Sequence, residues 1–211
     1  MRRWPPLLAV LTLVFLGCTA SASGSPSASV TTSPAPTSGS TAAPPSASGP
    51  GFGGVAAVVP PGWITFTDPD GAFSVALPAQ PTTTDAQATV APSGPISSTE
   101  YQWRASDGVI SYIVTVTDYP AGYLSSQTAQ TALGASAQNY ATGFGADMAG
   151  QQATMVGSHP ALDVVMTNTG GYICIRFVIV ADRLYVLGGT DTHQCPADMP
   201  GFAGSFRLTS P

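Results

Sequence analysis

Apolar and polar residues alternate along much of the chain after residue 60, and a period of two predicts β-strands. The stretches 63–66 and 73–77 both alternate in this way, and the turn-forming residues Asp68-Pro69-Asp70-Gly71 lie between them. We therefore predict a β-hairpin at the start of the folded part of the chain, followed by a Thr- and Pro-rich loop.

Four further strands are predicted in the middle of the chain. They lie at 99–104, 109–117, 153–156 and 161–166. The first two flank Asp107-Gly108, a dipeptide typical of tight hairpin turns, and the last two flank a turn at 158–160.

Two stretches have the pattern of helices. Apolar residues recur with a period close to 3.6 from Ser125 or Ser126, both suitable as an N-cap, to about Tyr140. A second helix is predicted at 197–206.

The C-terminal hairpin is apolar on both faces. Its strands, 172–181 and 184–190, flank Asp182-Arg183, and if these two residues form the turn, Ala181 pairs with Leu184. One face then carries Ile173, Ile175, Phe177, Ile179, Leu184 and Val186, and the other carries Cys174, Arg176, Val178, Val180, Tyr185 and Leu187. Strands with two apolar faces lie in the middle of a sheet that is covered on both sides. One helix on each face would supply that cover.

The N-terminus has the pattern of an export signal. Arg2 and Arg3 precede a short apolar run, 7–16, which is shorter than the roughly 20 residues that a membrane-spanning helix needs. Phe15-Leu16-Gly17-Cys18 resembles the lipobox of bacterial lipoproteins, in which the cysteine is acylated and becomes the new N-terminus. We therefore predict a signal peptide at 1–17 and a lipidated Cys18. The alternative is ordinary cleavage after Ala20-Ser21-Ala22, which would release a secreted protein without Cys18.

A tether is predicted between the anchor and the domain. Residues 19–60 are almost exclusively Ser, Thr, Ala, Pro and Gly, and such a segment has too little apolar surface to offset its ordering entropy. We expect 18–60 to be a lipidated cysteine plus a disordered tether on the outer side of the cell membrane, and 61–211 to be one domain. Ser and Thr mixed with Pro also suit O-glycosylation, and the sequence leaves that possibility and the oligomeric state open.

Charge argues against nucleic acid as a partner. The chain has no lysine, and after the leader four arginines face eleven acidic residues, a net charge of −7. Without a basic cluster, neither nucleic acid nor anionic lipid is an expected partner.

No phosphate loop, dinucleotide fingerprint or nucleophile elbow is present, so we expect no cofactor and no enzymatic activity. Glu100, the one glutamate, is expected to face water from a strand.

Cys174 and Cys195 are expected to form a disulfide. In the predicted hairpin Cys174 faces Asp191, and Cys195 follows four residues later, so the two thiols of an exported protein lie close together. The alternative is a zinc site made of both cysteines with Asp191 and His193, which would support a metal-dependent hydrolase. An oxidised pair could not ligate the metal, and we predict no metal.

Arg176 lies on an apolar face and needs a partner, because a buried charge must be paired. Its diagonal neighbour in the predicted register is Asp191, and we predict a structural ion pair between them. The alternative is an anion-binding arginine at the mouth of a pocket.

Three aromatic residues are candidates for a binding surface. Tyr119 and Tyr123 belong to a loop directly after the strand 109–117, a position where binding residues often lie. Trp103 is on the strand 99–104. Packing in the core is the alternative for each of them.

Three motifs resemble a domain that recurs in bacterial, especially actinobacterial, secreted lipoproteins and is similar to the PsbP fold. They are DPDGAFSVALPAQP (68–81), ADRLYVLGG (181–189) and GFAGSFRL (201–208). The resemblance implies an α+β fold, an antiparallel β-sheet flanked by helices, and a non-enzymatic role in binding. We accordingly expect a membrane-anchored binding or adaptor module for an envelope protein. The alternatives are a carrier of a small apolar ligand in a pocket between sheet and helix, and, less favoured, a metal-dependent hydrolase.

Overall fold

The structure, a computed structural model, describes residues 58–90 and 94–209. In these ranges the chain forms ten strands and two helices. The strands are β1 (Ile64–Thr67), β2 (Phe73–Leu77), β3 (Thr82–Val90), β4 (Gly94–Arg104), β5 (Ser111–Asp118), β6 (Asp147–Val156), β7 (His159–Asn168), β8 (Gly171–Val180), β9 (Arg183–Asp191) and β10 (Arg207–Leu208). The helices are α1 (Ala129–Phe144) and α2 (Met199–Ser205).

The middle layer is a seven-stranded sheet in the order β3-β4-β5-β9-β8-β7-β6, with every neighbouring pair antiparallel. Strands β7, β8 and β9 are buried along most of their length on both faces, as their unbroken apolar sequences require. The structure confirms the predicted α+β class with an antiparallel sheet flanked by helices.

Helix α1 covers one face of this sheet. Leu133 and Ala137 are completely buried, and they pack with Val164, Ile175 and Phe177 of the sheet in one apolar cluster. Small side chains on the buried side let the helix approach the sheet closely, so this otherwise weak helix is stabilised by tertiary packing.

The opposite face is covered by a three-stranded sheet, β1-β2-β10, together with α2. Phe73 of β2, Phe202 of α2 and Phe206 lie within a second apolar cluster against the main sheet, and Phe73 contacts Phe206 with ring centroids 5.5 Å apart. The Ser205 hydroxyl accepts a hydrogen bond from the Ala76 amide at 2.8 Å, which joins α2 to β2. The protein therefore has three layers, with apolar packing on both faces of the main sheet.

The chain ahead of β1 also lies against α2. A Cβ atom added to Gly201 would lie 2.2 Å from the carbonyl oxygen of Val58. Only glycine leaves room for the backbone to pass here. Val58, three residues before the predicted boundary at residue 61, thus already contacts the domain.

Strands β4 and β6 begin five and six residues earlier than predicted, and two further elements differ in kind or in their start. The Thr- and Pro-rich segment was expected to be a loop, yet it contains β3, an edge strand with no apolar alternation to indicate it. Helix α1 begins at Ala129 instead of Ser125 or Ser126, because Thr128 is the N-cap and its Oγ1 accepts the Thr131 amide at 3.2 Å.

The register of the C-terminal hairpin differs from the prediction by two residues. The turn is Ala181-Asp182, so Val180 pairs with Arg183 and Ile179 with Leu184. A shift of two keeps every side chain on its predicted face, which is why both apolar faces are as expected. It changes the partners across the strands, however, and Cys174 faces Gly189 instead of Asp191.

The predicted ion pair between Arg176 and Asp191 is wrong. In the observed register Arg176 lies opposite Leu187 on β9 and opposite Asp163 on β7. Its Nε and Nη2 donate to the two carboxylate oxygens of Asp163 at 2.6 and 2.8 Å, and its Nη1 donates to the Ala203 carbonyl of α2 at 3.1 Å. Asp163 is completely buried, so this bidentate pair supplies the partner that Arg176 was expected to need.

The predicted disulfide between Cys174 and Cys195 is confirmed. The two Cα atoms are 5.7 Å apart, within the range that disulfides require. The bond closes a loop with a sequence separation of 21 residues and contributes about 3 kcal/mol on the chain-entropy model. Disulfides persist in oxidising compartments, so this pair indicates an extracytoplasmic, secreted-type protein.

Several N-terminal predictions lie outside the described residues. These are the signal peptide 1–17, the lipidated Cys18, the cleavage site at Ala22 and nearly all of the tether 18–60. Within residues 58–90 and 94–209, neither helix has the length and apolar character to span a membrane.

We predict that Asp163→Asn lowers the free energy of unfolding by about 3–5 kcal/mol, because it leaves the buried Arg176 without its counter-charge. The double variant Asp163→Leu with Arg176→Met removes both charges. It should be more stable than Asp163→Leu alone or Arg176→Met alone. Urea unfolding followed by circular dichroism measures both effects. Asp147→Asn, at an exposed acid on β6, is the matched control and should change the stability by no more than about 0.5 kcal/mol. A loss below about 1 kcal/mol in Asp163→Asn would contradict the prediction.

Candidate functional site

An open cavity of about 710 Å³ lies at one end of the second apolar layer. The β6–β7 turn, with Gly157 and Ser158, forms one side, and the segment from the end of α2 through β10 forms the other. The short sheet β1-β2-β10 is too narrow to cover the main sheet as far as β7 and β6, so this space remains between the layers.

Three basic side chains line this cavity: His159 at the start of β7, Arg176 on β8 and Arg207 on β10. Arg176 is almost fully buried beside Asp163, whereas Arg207 is exposed and His159 is half-buried. The alternative reading of Arg176, an arginine beside a pocket, thus agrees with its place in the structure, although its carboxylate partner is within the protein.

Tyr119 and Tyr123 form a stacked pair. Their ring centroids are 5.1 Å apart and their planes differ by 4°. Both side chains are half-buried and pack at the margin of the α1 cluster. The structure therefore brings these two predicted residues together.

Asp182 holds the loop that carries the two tyrosines. Its carboxylate accepts the amides of Gly122 at 2.8 Å and Leu124 at 3.1 Å, and its carbonyl accepts the amide of Tyr119 at 2.9 Å. The bonds to the carboxylate, above all the one from Gly122, hold the pKa of Asp182 below its ordinary value. The β8–β9 turn thus fixes a loop that begins about 60 residues earlier in the sequence.

An ion pair lies beside this loop. Nε of Arg183 donates to the Asp118 carboxylate at 2.5 Å, and this bond raises the pKa of the guanidinium. Both residues and Tyr119 line a smaller cavity of about 410 Å³.

Trp103 does not join the tyrosine pair. It lies on the opposite face of the main sheet, where its ring stacks on Tyr112 with centroids 6.1 Å apart, at the margin of the layer that contains α2. The predicted surface of three aromatic residues is therefore wrong for Trp103, because odd-numbered positions of β4 face the α2 layer. Core packing, the alternative, describes its position better.

Glu100 is buried, contrary to the expectation that it faces water. It lies on the α1 side of β4 opposite Thr115, and only 9% of its surface is exposed. Burial raises the pKa of its carboxyl group, and the charge of Arg104 lowers it by a smaller amount. Burial also raises the pKa of Tyr140 on α1, with smaller contributions from Tyr119 and Glu100, and Tyr140 is hydrogen-bonded to Thr115.

The four candidate zinc ligands do not converge. Both sulfur atoms belong to the disulfide, and Oδ1 of Asp191 accepts the backbone amide of His193 at 3.0 Å. The His193 side chain is 87% exposed. Within the two described ranges, no group of three or more His, Cys, Asp or Glu side chains is arranged to hold a metal ion.

No protein-family model matches the chain, and no curated protein matches it either. Solved structures similar to it include the following two. The solution structure of cyanobacterial PsbP (CyanoP) from Synechocystis sp. PCC 6803 has a TM-score of 0.46 and 10% identity, over 74% of this chain and 98% of that one. A crystal structure of a protein of unknown function from Pseudomonas aeruginosa has a TM-score of 0.31 and 11% identity, over 65% of this chain and 86% of that one. Both similarities are too low to argue from, so the fold class rests on the elements described above.

Sequence reasoning missed the roles of Asp182, His159 and Arg207. Asp182 and His159 were interpreted as turn residues, and Arg207 was not singled out. The turn position of Asp182 was a usable signal, because turn aspartates often accept backbone amides. No sequence signal places Arg207 beside His159, since their contact with one cavity depends on the packing of α2.

We predict that the loop carrying Tyr119 and Tyr123 loosens in acid. The pKa of Asp182 is lowered in the folded state, so its stabilising contribution is present above the ordinary value of 3.8 and is lost as the pH falls through the lowered folded value. Amide NMR signals of Gly122 and Leu124 should report this transition.

Asp182→Asn removes the charge and one of the two acceptors, so it should perturb these two signals at neutral pH and abolish their acid transition. Asp107→Asn is the matched control, because Asp107 also accepts a backbone amide, that of Val109 at 2.9 Å, in a distant turn. An unchanged acid transition in Asp182→Asn would show that another group fixes the loop.

Proposed function

We propose that this protein is an exported, lipid-anchored binding or adaptor module without catalytic activity, built on a PsbP-like domain of the type that recurs in actinobacterial lipoproteins. The observation that carries the proposal is the stacked Tyr119–Tyr123 pair on a loop that Asp182 fixes. Tyrosine is enriched among the residues that dominate binding energy at protein interfaces.

The fixed loop suits recognition for an energetic reason. Ordering a flexible side chain or loop on binding reduces affinity, and a surface that is already ordered avoids most of that cost. Three hydrogen bonds to Asp182 hold the loop before any partner arrives. We infer that an envelope protein is the partner, since two stacked rings offer a flat contact and not an enclosed pocket.

A carrier of a small ligand is the second candidate function. The cavity of about 710 Å³ favours it, because small-molecule sites commonly have volumes of about 300–1,000 Å³. The cavity lies on the α2 side of the main sheet, and its lining contains arginine and histidine, whereas the expected ligand was apolar.

The anchor is supported by the sequence before the domain. Cys18 follows a signal-like apolar run, and the remaining two cysteines are paired with each other. Two or three acyl chains would hold the protein on a membrane durably. We propose the outer side of the cell membrane as its location.

We predict that Cys18→Ser moves the protein from the membrane fraction to the culture medium of the native host. Acylation requires the thiol, so the variant should also lack the added mass of the acyl chains in mass spectrometry. Cys195→Ala, which leaves Cys18 intact, is the control and should stay with the membrane wherever it folds. An unmodified chain beginning at Ser23 in the unaltered protein would instead establish ordinary cleavage after Ala22.

We predict that the partner contacts the tyrosine loop. A photo-crosslinking residue at the exposed Ala121 should yield one discrete crosslinked species on intact cells, whereas one at the exposed Gln152 of β6 should not. Replacing both tyrosines by alanine should reduce the crosslinked fraction by about tenfold or more, as expected for central interface residues.

Val109→Ala is the control for this loss, because Val109 is an exposed apolar residue in a distant turn. Circular dichroism verifies that each variant is folded. Equal crosslinking by the double tyrosine variant and the unaltered chain would overturn the proposed binding surface.

A further inference from the structure

We propose that the cavity lined by His159, Arg176 and Arg207 binds a small amphipathic ligand through its oxyanion head, a carboxylate or a phosphate. This inference is independent of the tyrosine surface, because Tyr119 and Tyr123 pack on the α1 side of the main sheet and this cavity lies on the α2 side. It assigns a ligand class to a part of the protein that the adaptor role does not use.

The lining combines two kinds of surface. Val156, Phe206 and Leu208 supply apolar walls, and the two arginines and His159 supply positive or hydrogen-bonding groups. Ser158 in the β6–β7 turn adds a hydroxyl donor. A ligand with a charged head and a short apolar body matches this division, since each part would meet surface of its own kind.

Arg207 presents an unused binding edge. Its Nη1 donates to the carbonyls of Gly204 at 2.7 Å and Phe206 at 2.8 Å, which fixes the guanidinium at the end of α2. Its Nε and Nη2 donate to no residue within the described part of the chain. These two nitrogens form one edge of the guanidinium, and that edge fits the two oxygens of a carboxylate or phosphate.

In Arg176 the corresponding edge of the guanidinium, Nε and Nη2, already binds a carboxylate. Its Nε and Nη2 hold the two carboxylate oxygens of Asp163 at 2.6 and 2.8 Å, and Arg176 itself lines the cavity. The protein thus contains a bidentate oxyanion site already filled by its own side chain, and in the same cavity lining an arginine whose equivalent edge is open. An incoming oxyanion would complete on Arg207 the geometry that Asp163 completes on Arg176.

The negative charge of the rest of the protein makes this cavity the preferred place for an anion to bind. After the leader, eleven acidic residues face four arginines, so most of the surface repels anions. Arg176 and Arg183 have carboxylate partners, and the charge of Arg104 acts on Glu100. Arg207 is bonded to carbonyl groups, which leave its positive charge unneutralised.

The test uses the full chain with Cys18→Ser, which needs no detergent, and octyl phosphate and octanoate as probes. Titration at low ionic strength, followed by NMR, should give saturable shifts at residues around the cavity for both probes. Inorganic phosphate should bind at least about tenfold more weakly, because it lacks the apolar body. Equal affinity for inorganic phosphate would overturn the amphipathic part of the proposal.

Arg207→Gln should weaken octyl phosphate binding by about tenfold or more, as expected for loss of a charged bidentate contact. Arg104→Gln, at another exposed arginine without a close ion pair, is the matched control and should bind like the unaltered chain. Unchanged binding in Arg207→Gln, or equal binding of octyltrimethylammonium, would overturn the oxyanion assignment. Arg176 is left in place, because its removal would leave Asp163 charged and buried.

Vesicles of phosphatidylcholine with and without phosphatidic acid distinguish the source of the head group. Binding to the phosphatidic acid vesicles that competes with octyl phosphate supports the site with a lipid as its source. Binding of the soluble probes alone supports the site with a free metabolite as its source. Binding of neither soluble probe nor vesicle would overturn the proposal.

Discussion

The buried ion pair between Arg176 and Asp163 is the interaction on which the layered structure depends, because it joins two strands of the main sheet and, through the Ala203 carbonyl, the helix α2 above them. Cys174 lies two residues before Arg176 on the same face of β8 and is bonded to Cys195, just ahead of α2. One strand therefore holds the short helix near both its beginning and its end. A seven-residue helix has little stability of its own, and these two links supply the order that its sequence cannot.

Much of the fold could be predicted from the sequence, since the period of two in β2 reports one face that must be buried, and the largely apolar runs of β7, β8 and β9 report burial on both faces. What neither pattern can report is register. The turn uses Ala181, with a φ of 53° that is uncommon outside glycine, and it is stabilised by the bonds of Asp182 to a remote loop. Moving the turn by one residue shifted the register by two, which preserved both faces and replaced the expected partner of Arg176. Strand β3 was missed for a different reason, because an edge strand rich in threonine pairs through its backbone and needs no apolar alternation.

The candidate sites likewise contain residues that could be predicted from the sequence and residues that could not. Tyr119 and Tyr123 could be singled out by their position after a strand, and their neighbourhood follows from the closeness of the two residues in sequence. Trp103 could not be assigned, because its face depends on where β4 lies in the sheet. Glu100 is buried on the α1 side of the sheet, near enough to Tyr140 of that helix to affect its pKa, and a strand pattern does not encode such tertiary packing. The basic cavity likewise gathers residues from β7, β8 and β10 that are up to 48 positions apart.

The close passage of Val58 over Gly201 has a mechanical consequence. Tension applied to the chain ahead of the domain would reach α2 and β1 before any other element. Helix α2 is covalently linked to β8 through the neighbouring disulfide, so the pull would spread into the middle of the main sheet and not peel away an edge. A domain pulled through its N-terminal segment would in this way bear the load on β8, a strand that is buried along most of its length.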